Sequence, residues 1–558
     1  MSDRLELRWP HKGEHVLQNP ETGKWEFCGN APLPFCPLIE HEAYGTEKKK
    51  PVADENSNLL IKGENLFALQ ALLRTYAGKV KLIYIDPPFN TGNDFEAYDD
   101  NFQHSVWLSM MSERLKFLYE LLSEDGAIFV HIDNNEVGYL LVLMNERFRR
   151  KNFVQLISEK RASPAGFKTI NPGPVTVTDY IFMYAKDKVK FNFKPMYVPV
   201  NYDENYDLFI ENPQAQPVKW KFRKINDIVY KQFGFKSWRE AKESWGTEWK
   251  LIRKSHAGQF ALQNKTRVVS VRDPHKPSER IVEALEKSRS VREKVIVLER
   301  EDSEPIYILN GGALSFYTSK IRVIDGKETP TELLTDLWTD MNYAGIAEEG
   351  GVKFKNSKKP EMLLRRIIEM STVQGDLVLD CFSGSGTSAA VAHKMQRHWI
   401  CIEVMEKQAQ DSVGRLQRVI SGEDQTGISK QVGWKGGGGF RYLEVGAPLV
   451  VQDPETKLTI LNPHYKNSKL VRAVCQMEGF ALTGDGKYFH GRSSAHMAHI
   501  TENFVDDAYV RRLAARLPEG YFLTIYGLKF QRHINRPHNV SLKRMQTSLV
   551  KPYLTKGA

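Results

Sequence analysis

The residues Asp86-Pro87-Pro88-Phe89 follow directly on a short apolar run, residues 80–85, that is rich in β-branched side chains. Such a run is typical of a buried strand in a parallel sheet. Proline cannot extend a strand and it restricts the residue before it, so we expect Asp86 to lie rigidly at the strand's carboxyl end, where open α/β sheets bind ligands. A fixed carboxylate, two proline carbonyls and the ring of Phe89 would suit a flat ring that carries an amino group. The alternative is an Asp-Pro turn without chemistry, which that dipeptide often forms when it stands alone.

A second chemical pattern lies far downstream, where residues 377–387 are predicted to form a strand, a glycine turn and the start of a helix. Gly384 and Gly386 would let the backbone approach a ligand without interference from a Cβ atom. A helix is predicted to begin at Thr387, and the next predicted strand, His398–Glu403, ends in an acid that can accept hydrogen bonds from both hydroxyls of a ribose. Since Gly-x-Gly-x-x-Ala also satisfies the dinucleotide fingerprint, a nicotinamide-dependent oxidoreductase remains open as an alternative.

Predicted strands and helices alternate around the first pattern. This alternation predicts a parallel sheet with helical crossovers. His131 and Asp133 would lie at the carboxyl end of one strand, and a structural role is the favoured interpretation of this histidine. The predicted elements are a strand and turn at residues 58–65, helices at 66–76, 106–122 and 135–148, and strands at 127–133 and 179–186.

Residues 188–345 lack this alternation of predicted strands and helices. Within them, residues 216–256 interleave basic side chains with aromatic rings. Basic side chains can neutralise phosphates, and rings can stack on exposed bases. The alternative is a helical subdomain with an aromatic core and solvated lysines. The candidate DNA contacts are Lys219, Lys221, Arg223, Lys224, Lys250, Arg253 and Lys254.

Composition limits the class of protein. A chain of 558 residues predicts several domains, and a net charge of +10 with a pI near 9.0 fits a polyanionic partner. The five cysteines are scattered without the spacing of metal ligands, so we expect no metal site and a reduced, cytoplasmic setting. No apolar run is long enough to span a membrane, and the amino terminus lacks the features of a signal peptide.

The sequence Asp86-Pro87-Pro88-Phe89 resembles the catalytic tetrapeptide of amino-methylating DNA methyltransferases, which modify adenine N6 or cytosine N4. Lys359-Pro360 and the Phe-x-Gly-x-Gly form of residues 382–386 strengthen the resemblance. The order of catalytic motif, insert and cofactor motif is similar to that of the permuted beta group. The glycine-rich residues 433–442 resemble the segment that closes the methylase domain in modification subunits of type III restriction systems.

This resemblance implies S-adenosylmethionine as cofactor and a flipped-out base of double-stranded DNA as substrate. By family habit, Asp-Pro-Pro favours adenine N6, with cytosine N4 as the alternative. Glu64 stands where the family has an aspartate that binds the cofactor's adenine, one methylene longer. A DNA-binding protein without activity and an RNA or protein methyltransferase also remain open. The implied cofactor residues are Glu64, Lys359, Pro360, Asp380, Phe382, Gly384, Gly386, Thr387 and Glu403.

The expected fold is α/β: a Rossmann-like methyltransferase domain whose mostly parallel sheet has helices on both faces, with an inserted recognition domain and a C-terminal α+β region. The implied partner is a restriction helicase-nuclease subunit, and whether the chain forms a homodimer stays open. The predicted domains are an irregular N-terminal extension (1–57), a catalytic half (58–187), a target-recognition insert (188–345), a cofactor-binding half (346–443) and a C-terminal region without catalytic groups (444–558).

Overall fold

The computed structural model divides into two compact units, residues Met1–Lys194 with Thr335–Ala558, and residues Pro195–Leu334. None of the helices in the described part of the chain has the length and apolar character that crossing a membrane requires. The structure describes residues 6–19, 24–50, 55–91, 93–95, 98–100, 103–163, 173–301, 303–324, 326–343, 345–352, 358–546 and 549.

The amino-terminal part of the first unit alternates strands and helices, as its sequence pattern predicts. Its elements are β1 (Val16–Gln18), β2 (Trp25–Phe27), β3 (Leu38–Gly45), β4 (Leu59–Lys62), α1 (Asn65–Tyr76), β5 (Val80–Ile85), β6 (Asn93–Phe95), β7 (Tyr98–Asp100), α2 (His104–Leu121), β8 (Leu122–Ile132), α3 (Val137–Phe148), β9 (Phe153–Lys160) and β10 (Thr178–Ala185).

The described residues of the second unit form two antiparallel sheets, β11-β19-β18 and β13-β12-β14-β17-β16-β15, together with four α-helices. Its elements are β11 (Tyr197–Pro199), β12 (Leu208–Ile210), β13 (Phe222–Lys224), α4 (Ile225–Gln232), α5 (Trp238–Trp245), α6 (Trp249–Gln263), β14 (Val268–Arg272), α7 (Glu279–Ser290), β15 (Ile296–Arg300), β16 (Ser303–Leu309), β17 (Gly312–Phe316), β18 (Ile321–Ile324) and β19 (Lys327–Leu333).

The carboxy-terminal part of the first unit adds the glycine-loop strand and a smaller α/β layer. Its elements are β20 (Leu337–Trp338), α8 (Glu361–Ser371), β21 (Leu377–Asp380), α9 (Thr387–Lys394), β22 (His398–Glu403), α10 (Glu406–Ser421), β23 (Gly439–Val445), β24 (Val450–Gln452), β25 (Thr459–Leu461), α11 (Asn467–Glu478), β26 (Ala481–Leu482), β27 (Gly491–Ser493), β28 (His496–Val505), α12 (Asp507–Ala514), β29 (Phe522–Phe530) and β30 (Val540–Arg544).

The first unit is built on a ten-stranded sheet of order β20-β9-β10-β8-β5-β21-β22-β4-β23-β3. The strands from β8 to β23 are mutually parallel, whereas β10 runs antiparallel to both of its neighbours. The prediction of a mostly parallel sheet is therefore confirmed. Because parallel strands end at the same edge, the segments that follow β4, β5, β21 and β22 meet there.

Helices cover both faces of this sheet. On one face, alternate residues such as Ile83 and Ile85 of β5 and Ile128 and Val130 of β8 share a core with α1, α2 and α3. Helices α8, α9 and α10 form a second packed group, in which α8 contacts β5 and β8 and α9 contacts β21 and β22. Burial on both faces explains the continuous apolar runs in the sequence.

The prediction that residues 1–57 are irregular was wrong, because they contain β1, β2 and β3, and β3 pairs antiparallel with β23 at the sheet edge. The glycine-rich residues 433–442 lead into a strand, since residues 439–442 belong to β23. A Cβ atom on Gly45 would lie 2.3 Å from the Gly438 carbonyl oxygen, so the glycine run permits close approach of two backbones. Buried Arg441 joins the strands further, because its guanidinium pairs with Glu40 and Glu47. This pairing joins distant segments and leaves no local pattern.

The C-terminal region packs onto the part built on the ten-stranded sheet, through a core that includes Ala71 of α1 and Leu470 of α11. Its five-stranded sheet has the order β26-β27-β28-β29-β30, and β28, β29 and β30 are parallel. Helix α12 connects β28 to β29, so this region is itself a small α/β layer, in agreement with the predicted mixture of helices and strands.

Candidate active site

A pocket of about 870 Å³ opens at the carboxyl ends of the central parallel strands. Four of the predicted catalytic and cofactor-binding residues, Pro87, Phe89, Pro360 and Gly386, do not line it. The predicted residues that line it are Glu64, Asp86, Pro88, Lys359, Asp380, Phe382, Gly384, Thr387 and Glu403.

The Asp-Pro-Pro-Phe segment leaves β5 directly at the pocket. The indole Nε1 of buried Trp107 donates a hydrogen bond of 2.7 Å to the Pro88 carbonyl. The expectation of two available proline carbonyls is therefore corrected, since the protein itself uses that of Pro88. The Asp86 carboxylate forms an ion pair with Lys359, with 2.9 Å between Oδ1 and Nζ. Asp86 thus retains a second oxygen for a ligand.

Phe89 packs between the core and a buried polar cluster. Its ring stacks on that of His131, with 5.8 Å between the centroids and 25° between the planes. His131 is fully buried, and its Nδ1 lies 3.1 Å from the Tyr84 hydroxyl. Its Nε2 lies 3.6 Å from a Glu159 oxygen and 3.5 Å from an Asp179 oxygen. These contacts support the structural interpretation of His131, as the residue on which Phe89 rests.

The glycine loop is held by two buried acids. Asp380 accepts hydrogen bonds from the Phe382 backbone N–H at 2.9 Å and from the Ser388 hydroxyl at 2.5 Å. Glu403 accepts one from the Gly384 backbone N–H at 2.8 Å. Burial raises the pKa of Asp380 and that of Glu403 to about 7. Both acids are therefore positioned by the backbone that follows their strands.

Gly386 has a different role from the predicted one. It precedes α9 with a φ of 70°, a left-handed conformation that favours glycine, and it lies outside the pocket lining. A Cβ atom there would lie 2.9 Å from the Ser412 hydroxyl oxygen and 3.1 Å from its Cβ. The expectation that Gly386 makes room for a ligand is therefore corrected, since the close neighbour is α10.

A buried network beneath the loop was not predicted from the sequence. The Arg415 guanidinium donates to the Ser385 carbonyl at 3.1 Å and pairs with Glu361 at 2.8 Å. Lys394 pairs with Glu361 at 2.9 Å and with Asp424 at 2.8 Å. Because two cations and two anions are paired and hydrogen-bonded here, the desolvation cost of each charge is offset. The network links α8, α9 and α10, and its members are too far apart in sequence to form a motif.

Glu64 lines the pocket, but other protein groups already bind its carboxylate. The Gln18 backbone N–H donates to Oε2 at 2.9 Å, and the buried Arg114 guanidinium pairs with Oε1. Arg114 also lies over the Trp25 ring, 4.9 Å from its centroid. Gln18 and Trp25 line the pocket as well, although no chemistry was predicted for the N-terminal extension. Their position depends on the β1–β2 hairpin and had no sequence signal.

The candidate DNA contacts lie in the second unit. Four of them are paired with acids: Arg223 with Glu211, Lys224 with Asp207, and both Arg253 and Lys254 with Glu204. Within the described residues, three have no acidic partner. Several rings of the same segment pack on one another, such as Phe233 with Trp245 at 5.2 Å. The three unpaired and exposed candidates are Lys219, Lys221 and Lys250.

The buried Asp380 carboxyl predicts an unusual dependence of stability on pH. Its pKa rises from 3.8 to about 7 on folding, so the folded chain holds the proton more tightly. The contribution of this group to the free energy of unfolding falls as pH rises from 3.8 to about 7 and stays low above that. We expect Asp380→Asn to raise the unfolding free energy more at pH 8 than at pH 5, by about 1–2 kcal/mol. Denaturant unfolding without ligand measures it, and an equal effect at both pH values would contradict it.

The chain matches the DNA methylase family over residues 80–413, a range that includes both motifs and more than half of the sequence. The chain belongs to the DNA methylase family. Its membership confirms the resemblance carried by Asp86 to Phe89 and removes the nicotinamide alternative. It also agrees with the observed sheet, which brings the two motifs to one pocket although a separate unit interrupts the sequence between them.

Several relatives, including the following two, are named as modification subunits. One, from Haemophilus influenzae (strain ATCC 51907 / DSM 11121 / KW20 / Rd), is named "Probable type III restriction-modification enzyme HindVI Mod subunit"; it is 34% identical over 423 residues, which cover 72% of this chain and 56% of that protein. The EcoPI Mod subunit of Escherichia phage P1 is 27% identical over 413 residues, which cover 64% of this chain and 59% of that protein. The chain thus spans less than two thirds of either relative.

Solved structures give a weaker likeness. The PvuII DNA methyltransferase (cytosine-N4-specific) is 13% identical, with a TM-score of 0.31, and the match covers 68% of this chain and 91% of that protein. This likeness is too low for any argument about the site.

Proposed function

We propose that this chain is a DNA methyltransferase that transfers a methyl group from S-adenosylmethionine to adenine N6 in a flipped-out base. The observation that carries the proposal is the single pocket that holds Asp86 together with the glycine loop and Glu403. A pocket with only the glycine loop would fit many nucleotide ligands. The carboxylate at its mouth adds an acceptor for an exocyclic amine, and membership of the DNA methylase family supports that pairing of groups.

The pocket residues fit the proposed cofactor. S-adenosylmethionine, when bound, supplies a methyl group activated on a sulfonium. The Glu403 carboxylate, at the end of β22, would accept hydrogen bonds from ribose hydroxyls, and Asp380 and the Gly384 backbone would shape the adjacent wall. Among the described residues, the buried Gln408 Oε1 in the pocket wall finds no hydrogen-bond donor, as expected for an atom that a ligand completes.

The chemistry of the target amine assigns the remaining roles. The lone pair of an exocyclic nitrogen is delocalised into its ring, so this nitrogen is a poor nucleophile. Hydrogen bonds to the Asp86 carboxylate and the Pro87 carbonyl would draw the nitrogen toward tetrahedral geometry and localise its lone pair. Phe89 would stack on the base and offset part of the cost of flipping it out of the duplex, which is a few kcal/mol. Positioning and electrostatics would supply most of the rate acceleration.

Methyl transfer to DNA tests the proposal directly. The protein is incubated with radiolabelled S-adenosylmethionine and DNA from a strain without DNA methylases, and the DNA is then digested to nucleosides. We expect label in N6-methyl-2′-deoxyadenosine. Label in N4-methyl-2′-deoxycytidine would assign the other base, and absence of label from DNA would overturn the proposal. Single-molecule sequencing of the same DNA would show the recognised sequence.

We also propose that the second unit is the target-recognition domain and that the protein works in a restriction-modification system, with a helicase-nuclease subunit as partner. The names of the two relatives support this role, and the separate folding unit between the motifs supports the division of labour. The target atom would be chosen in the Asp86 pocket, while sequence has to be read by side chains that contact base edges. Exchange of residues 195–334 with those of a relative should then change the methylated sequence and leave the modified atom unchanged.

The unpaired lysines of this unit predict a salt effect. Neutralising Lys219, Lys221 or Lys250 to glutamine should weaken DNA binding about equally on any sequence, and lower the slope of log affinity against log salt by ~1 for each phosphate that the variant no longer neutralises. Arg253→Gln is the matched control, because Glu204 already pairs with this guanidinium at 2.5 Å and a smaller change in slope is expected. Fluorescence anisotropy at several salt concentrations measures both. If the triple lysine variant keeps affinity and slope, this segment does not bind DNA.

A further inference from the structure

We propose that Lys359 is a positioning residue for the target base, and that its ammonium holds Asp86 and Phe89 in their working geometry before the base enters. The inference rests on the proposed function. It changes the role that the sequence resemblance gave to Lys359, from binding the cofactor to preparing the target-base side of the pocket.

One ammonium contacts both groups that the mechanism assigns to the base. Lys359 Nζ lies 2.9 Å from Asp86 Oδ1 and 4.7 Å from the centroid of the Phe89 ring. Both side chains are largely withdrawn from water, with 11% of Lys359 and 19% of Asp86 exposed. A target amine would donate an N–H to the same carboxylate, and the base would lie on the same ring. The ammonium therefore satisfies, in the free protein, the two groups that the base would otherwise contact.

The backbone on either side of Lys359 is fixed, which limits where its side chain can reach. The preceding Lys358 is buried, and its Nζ donates to the backbone carbonyls of Glu349 and Val352. The following Pro360 is the N-cap residue of α8, and proline restricts Lys359 to extended conformations. Helix α8 itself packs on β5 and β8, the two strands that carry Asp86 and His131. Lys359 is thus presented to the carboxyl end of β5 by a rigid support.

A second acid, Asp179 of β10, lies in the buried cluster around His131 on which Phe89 rests. Burial opposes ionisation of Asp179, but the hydrogen bond from His131, and then the charges of His131, Lys359 and Arg161, hold the pKa of that carboxyl below its usual value. The positive charge of Lys359 therefore also stabilises the ionised Asp179 carboxylate in the free protein.

The test compares Lys359→Met with Lys359→Arg in the full chain. At saturating S-adenosylmethionine and DNA from a strain without DNA methylases, we expect Lys359→Met to lower the single-turnover rate by about 10²-fold, since loss of positioning has effects of that size. Lys359→Arg should recover part of the rate. The calorimetric affinity for S-adenosylmethionine should change less than about 2-fold in both variants, because Lys359 acts on the base side.

Lys81→Met is the matched control. Lys81 lies near the start of β5 and pairs with Asp125 at 2.5 Å, so this variant also removes a lysine–aspartate pair of the same strand, but far from Asp86. It should keep both rate and affinity. If Lys359→Met does not fold, Lys359→Gln removes the charge with less loss of polarity and should show the same loss of rate.

Two results would overturn the inference while the proposed function stands. One is a Lys359→Met rate within about 3-fold of wild type, a difference below ~1 kcal/mol. The other is a tenfold or greater loss of S-adenosylmethionine affinity with an unchanged rate at saturation, which would show that Lys359 binds the cofactor, as the sequence resemblance implies. A wild-type chain that methylates no DNA would instead refute the proposed function, and the inference with it.

Discussion

Replacing Asp86 with alanine is expected to abolish methyl transfer and to leave the binding of S-adenosylmethionine nearly intact. The carboxylate projects from the end of β5 into the pocket, where its Oδ1 pairs with Lys359 and its second oxygen remains for the target amine. Alanine removes the acceptor that would localise the lone pair of the nitrogen. The glycine loop, Asp380 and Glu403 do not depend on Asp86 for their hydrogen bonds, so the cofactor side should persist.

The measurement pairs single-turnover methylation with calorimetry on the same preparation. Asp125→Ala is the control, since it removes an exposed aspartate that pairs with Lys81, outside the pocket lining. It should methylate at the wild-type rate. If Asp86→Ala keeps more than about a tenth of the wild-type rate, less than ~1.4 kcal/mol of barrier was supplied by this carboxylate, and its assignment as the catalytic acceptor is wrong.

Gly386→Val is expected to eliminate binding of S-adenosylmethionine, for a reason that only the structure gives. The residue has a φ of 70°, which a β-branched side chain adopts at high cost, and it is the N-cap residue of α9, directly after the pocket-lining Ser385. Its Cβ would also press on Ser412 of α10. Relief of both strains requires the loop to move, and the Gly384 N–H that binds Glu403 would move with it. Calorimetry should then show at least a tenfold weaker affinity.

Two further variants separate these causes. Gly375→Val places the same side chain at a φ of 85° with nothing within 4 Å, so it should reduce stability but leave cofactor affinity unchanged. Gly386→Ala combined with Ser412→Gly relieves the contact with α10, and it should bind better than Gly386→Ala alone. If Ser412→Gly gives no recovery, the contact with Ser412 is not the cause of the weaker binding.

Local sequence patterns were sufficient to predict the two motifs and the strands and helices that carry them. An apolar run followed by Pro-Pro indicates a buried strand that must end, and β5 ends at Ile85, directly before Asp86. The glycine turn after Leu377–Asp380 likewise predicted a strand, a loop and the start of α9 at Thr387. Such signals depend on a few adjacent residues, because backbone restriction by proline and freedom at glycine act locally. Periodicity predicted the surrounding helices for the same reason.

Tertiary structure decided which groups these motifs meet. The sequence resemblance assigned both Lys359 and Glu64 to cofactor binding. In the structure, the Lys359 ammonium pairs with Asp86. The Glu64 carboxylate is bound by Arg114 and by the backbone N–H of Gln18. The sequence offers no signal for these contacts, since each joins segments that become neighbours only when the sheet forms.

The same holds for Trp25 in the pocket wall, for the Arg415 network beneath the loop and for the pairing of β3 with β23. Each depends on which strands lie side by side, and hydrophobic burial on both faces of the sheet sets that order without leaving a pattern in the contacting residues. The sequence by itself thus determined the chemistry available to this protein. The fold determined how the charges around that chemistry are paired.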